Sequence, residues 1–78
     1  MDMKTKLIKW IRSMGYEPQE AIGIADNIIK KLKPYCKAMN TTTDKFITQV
    51  MNDSTCTSLG KFKDIANYRI KRKLKSNK

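Results

Sequence analysis

Five residues near the C-terminus have types and spacing that suit one chemistry. Lys61, Lys71, Arg72 and Lys75, with Tyr68 among them, fall on one side of a helix wheel, opposite Phe62 and Ala66. Ammonium and guanidinium groups hold phosphates, and an exposed ring stacks on an unpaired base. Cations clustered along one helix form the electrostatic footprint of a nucleic-acid-binding surface. The charge is concentrated there: residues 61–78 hold eight basic side chains and one acidic, against nine and six in residues 1–60. A smaller basic strip, Lys30, Lys33 and Lys37, merges with the first if the two helices lie side by side.

Other surfaces account for the same residues. A lysine-rich helix face can be simply solvated, and cations favour the negative end of a helix dipole. An acidic patch on a larger protein would also be attracted, and Tyr16, Tyr35 and exposed methionines would then matter more than Lys71 and Arg72. A lipid surface fits less well. Lys63, Arg69 and Lys73 interrupt the apolar side that such a helix would insert, although their stems can lie over a core while their heads reach water.

The residues of catalysis are missing. Without histidine, the commonest general base and the Ser–His and Cys–His arrangements are absent. The seven carboxylates form no recognisable acid–base pair, and Glu17, Glu20 and Asp26 read as surface and capping groups. Cys36 and Cys56, with no histidine, do not supply a four-ligand zinc site. In a reducing compartment they are free thiols. Cys36 lies on an apolar stripe that predicts burial, and Cys56 lies in a polar loop. No Walker loop, dinucleotide fingerprint or calcium loop occurs. The expectation is a protein that is not an enzyme and has no cofactor or metal.

These residues must be positioned by a small fold. The 78 residues carry a formal charge of +10, and 40% are hydrophobic, too many for a wholly disordered polycation. A chain this short buries only about 60% of the surface it exposes when unfolded, so a homodimer covering a leftover apolar face is compatible with it. Apolar spacing predicts helices over about 3–14 (Leu7, Trp10, Ile11, Met14), 18–39, 44–52 (Phe46, Ile47, Val50, Met51) and 58–74 (Phe62, Ala66, Ile70, Leu74). Asp2 caps the first and Gly15 ends it. Pro18 opens the second, and Pro34 kinks or restarts it after about residue 32. Thr43 caps the third, and Ser58 or Thr57 the fourth.

The fold class is therefore all-α: one domain over 1–75 that is a compact bundle of four helices, or five short pieces if Pro34 splits one, with a frayed basic tail at 76–78. Leu7, Trp10, Ile11, Ile28, Ile29, Leu32, Phe46, Val50, Phe62 and Ile65 are the expected core.

Met14-Gly15-Tyr16 followed by Ala21 resembles the Met-Gly-aromatic turn of ubiquitin-associated domains. In that family the turn joins two helices of a three-helix bundle and belongs to the ubiquitin-binding surface. The likeness covers about residues 7–25. Ala25 stands one position off the family spacing and the helix through Leu32 is too long, so membership is not assigned. A helix-turn-helix over 44–74 also fits poorly, because Asn52, Thr57 or Ser58 falls where apolar residues belong.

The N-terminus has no signal-peptide core, and nothing approaches the roughly 18 apolar residues of a membrane span. A cytoplasmic protein is expected. Its heavy use of Lys, Ile and Asn suggests an AT-rich genome, compatible with a phage or mobile-element accessory protein. The leading expectation is DNA or RNA bound through phosphates. The alternative is an interaction module, an inhibitor or adaptor, on an acidic protein surface.

Overall fold

A computed structural model describes residues 2–76. Among them are four α-helices: α1 (Met3–Arg12), α2 (Pro18–Ala38), α3 (Thr43–Met51) and α4 (Leu59–Ser76). No strand occurs among the described residues, so the architecture is the all-α bundle that the apolar spacing predicts.

The helix ends follow local chemistry. Asp2 Oδ1 accepts a hydrogen bond from the Thr5 N–H at 2.8 Å, which satisfies one of the orphan donors of the first turn. Gly15 takes φ 98°, a conformation that costs glycine little. Pro18 opens α2, and Glu20 Oε1 accepts from the Glu17 N–H at 3.3 Å. At the other end, Asn40 adopts φ 59°. The Thr41 N–H donates to the Cys36 carbonyl at 3.0 Å and the Asn40 N–H to Lys37 at 3.1 Å, closing α2 in a Schellman turn.

Four boundaries differ from expectation. α2 runs unbroken through Pro34, so the five-piece alternative is not realised. Proline removes the donor that would bond the Lys30 carbonyl, but Pro34 and Lys30 are both exposed, and water reaches the orphaned acceptor. α1 ends at Arg12, earlier than its apolar stripe suggests. Thr42 caps α3 in place of Thr43: it is the extended residue, and its Oγ1 accepts from the Lys45 N–H at 3.1 Å. Ser58 caps α4, accepting from the Lys61 N–H at 3.2 Å. α4 continues to Ser76, and Asn77 and Lys78 of the expected frayed tail lie outside the described residues.

α1 packs along α2, and α3 rests against both. α4 leans on α3 and meets α1 where the Trp10 and Phe62 rings lie 5.6 Å apart, tilted by 43°. α2 and α4 touch only briefly. Of the expected core, Leu7, Ile11, Leu32, Phe46, Val50 and Phe62 are buried. Trp10, Ile28, Ile29 and Ile65 are only half-buried, packed against the core from its rim. They flank the inward stripes, whose α2 centre is held by the small side chains of Ala21 and Ala25. Ile47, Ala66 and Ile70 complete the interior. Both cysteines are free and buried. Cys56 is buried because the 52–58 loop folds it onto the core, which the polar composition of that loop conceals.

Candidate nucleic-acid interface

Phe62, Ala66 and Ile70 are buried at every fourth position of α4, and this fixes the rotation of the helix about its axis. The opposite side therefore faces water. Beside it runs a groove of about 940 Å³ between α4, α3, the turn after α2 and the loop after α3. Met39, Phe46 and Ile65 give it an apolar base. Asn40 and Thr41 line it from the turn, and Lys45 and Gln49 from α3.

Lys61, Tyr68 and Arg72, all expected in the site, line this groove. Lys71 and Lys75 are exposed on α4 but lie outside it. Lys30, Lys33 and Lys37 are exposed on α2. Because α2 and α4 do not pack side by side, this second strip does not extend the groove.

Tyr68 is 62% exposed, the most exposed large hydrophobic residue among those described. Arg72 Nη1 donates to its hydroxyl at 3.4 Å, so ring and guanidinium share one turn of helix. Arg69 Nη2 lies 3.9 Å from Asp53 Oδ2. Asp53 Oδ1 accepts from the Thr55 hydroxyl at 2.7 Å and the Thr55 N–H at 2.9 Å. These two hydrogen bonds, with the Arg69 charge adding to them, hold the Asp53 carboxyl below the usual carboxylate range. The acid nearest the groove loop is thus occupied internally. Asp64 is the other acid in the groove.

Another ion pair joins Lys4 to Asp26 at 2.7 Å, on α1 and α2. Lys61, Lys71, Arg72 and Lys75 form none.

Sequence reasoning missed Lys45, Gln49 and Arg69. Lys45 and Gln49 stand four apart on α3, the spacing that stacks side chains on one helix face. That signal identifies a shared face, but only the fold turns that face toward α4. Arg69 was assigned to the apolar side of α4; it is half-buried there and its head reaches Asp53.

Among the described residues, no group of three or more His, Cys, Asp or Glu comes together to hold a metal. No described helix is long and apolar enough to cross a membrane. The connection over 52–58 is longer than the roughly three-to-four-residue turn of a helix-turn-helix. No protein-family model, curated protein or solved structure matches the chain.

Proposed function

We propose that this is a non-catalytic nucleic-acid-binding protein that contacts phosphates through α4. One observation carries the reading: Lys61, Arg72 and Lys75 have no intramolecular carboxylate partner, and they stand along the helix that presents an exposed Tyr68. A chain with 17 basic and seven acidic residues attracts polyanions at long range. The uncompensated cations of α4 supply the local contacts. Arg72 adds a planar fork that pairs with phosphate oxygens in two-point geometry.

Fluorescence anisotropy with a labelled oligothymidylate, titrated between about 50 and 200 mM salt, tests this. Each neutralised phosphate of a single strand adds about 0.7 to the slope of log affinity against log salt. The triple change Lys61→Gln, Arg72→Gln, Lys75→Gln flattens the slope by about two and leaves the helical circular dichroism unchanged. The matching change on α2, Lys30→Gln, Lys33→Gln, Lys37→Gln, leaves the slope nearly intact. An unchanged slope in the α4 variant overturns the assignment. Capture from the natural host of one acidic protein that survives nuclease treatment favours the docking alternative instead.

A further inference from the structure

The α4 surface is concave where a duplex reader would be convex. A helix that reads duplex DNA enters a major groove about 12 Å wide and presents its side chains outward to the base edges. Here Lys61, Tyr68 and Arg72 overlook a groove that Lys45 and Gln49 of α3 border on its other side. A recess between two helices suits one flexible strand better than a rigid duplex.

Resting on the phosphate-binding reading above, we infer that the groove takes single-stranded nucleic acid and that Tyr68 is its base-stacking platform. Position along α4 supports this. At about 1.5 Å of rise per residue, Lys61 and Arg72 lie roughly 16 Å apart along the axis, with Tyr68 between them and about 6 Å from Arg72. A strand laid along the helix meets the Lys61 cation, then the Asp64 carboxylate, then the Tyr68 ring and the Arg72 cation. The contact from Arg72 to the Tyr68 hydroxyl sets guanidinium and ring side by side, so one nucleotide can stack its base on the ring and place a phosphate on the arginine. Lys45 faces the strand from α3. Asp53 repels it little, because its charge is met by Arg69 and its oxygen by Thr55. Asp64 is the one groove acid with no hydrogen bond or ion pair. It disfavours a phosphate at its own turn.

Stacking of this kind has no sequence code, since every base offers a π-face. The groove therefore discriminates strandedness rather than sequence.

The test compares three probes of equal length: twelve-nucleotide oligothymidylate, its duplex with oligoadenylate, and an abasic twelve-unit phosphodiester. The protein binds oligothymidylate more tightly than either of the others. Tyr68→Ala weakens oligothymidylate binding by about tenfold and leaves the abasic oligomer unaffected. Tyr68→Phe keeps the ring and retains most of the affinity. Tyr68 is exposed, so neither change unfolds the protein, and circular dichroism verifies this. If oligothymidylate and the abasic oligomer bind equally and Tyr68→Ala changes neither, the stacking inference is overturned while phosphate binding stands. Equal or tighter duplex binding also overturns it. If no oligomer binds, both readings fall.

Discussion

α2 and α4 are the two longest helices and each carries a strip of cations, yet they present them differently. α2 seats Ala21, Ala25, Leu32 and Cys36 against its neighbours and holds Lys30, Lys33 and Lys37 on its outward back. Its Asp26 is paired with Lys4. α4 is anchored through Phe62, Ala66 and Ile70 and turns Lys61 and Arg72 toward a groove with an exposed ring between them. Counting charges does not separate the two strips. Concavity and an exposed ring set between the cations do. α2 also carries a proline in its interior, on its exposed side, while the only aromatic that α4 buries is Phe62.

That burial predicts the largest effect. Phe62 is the largest fully buried side chain and joins α4 to Trp10 of α1. Phe62→Ala is expected to cost about 3–5 kcal/mol, a large share of the total for a domain whose stability scales as roughly 0.05–0.15 kcal/mol per residue. Urea unfolding followed by Trp10 fluorescence measures it. Leu32→Ala on α2, at a site already 8% exposed, should cost less, about 2 kcal/mol. Equal losses would erase the contrast between the two seats.

Next in size is Pro34→Ala. The substitution restores a donor to the Lys30 carbonyl in a helix that is already continuous. Interior proline is about 3 kcal/mol less favourable than alanine, so the variant gains up to about that much in the same unfolding measurement. No gain would mean that α2 is distorted around Pro34 and less firmly seated than the comparison requires.

The smallest effect concerns the thiols, one in each half. Burial pushes both Cys36 and Cys56 above the ordinary thiol pKa; a Thr43 hydrogen bond opposes the shift at Cys36, and the Asp53 charge adds to it at Cys56. A pKa raised in the folded state means that the unfolded chain ionises first. The contribution is therefore intact below the ordinary thiol range and is lost as pH rises through it toward the raised folded values. The stability of the wild type relative to Cys36→Ala, Cys56→Ala should decline between pH 8 and 10, about the ordinary thiol range. A difference that stays flat across that range would place the thiols in contact with water.

Much of the fold was legible because the local signals agree. The caps at Asp2 and Ser58, the turn at Gly15 and the four-residue apolar rhythm of α4 all depend on near neighbours in sequence. The half-burial of Trp10, Ile28, Ile29 and Ile65 was not legible, because the wheel gives a side chain's direction but not how far the opposing helix extends. Continuity through Pro34 depends on solvent access to one carbonyl. In the site, Lys61, Tyr68 and Arg72 were recognisable from one helix face. Lys45, Gln49 and the Arg69–Asp53 contact were not, because they come from segments that only the tertiary fold brings beside α4.

The central claim is that anions are held at the α4 groove and not on the back of α2. Amide chemical-shift mapping during titration with oligothymidylate tests this most directly. The account predicts that the largest shifts fall at Lys45, Gln49, Lys61, Tyr68 and Arg72, with Lys30, Lys33 and Lys37 nearly still. Shifts centred on α2, or spread evenly over every lysine-bearing surface, would contradict it.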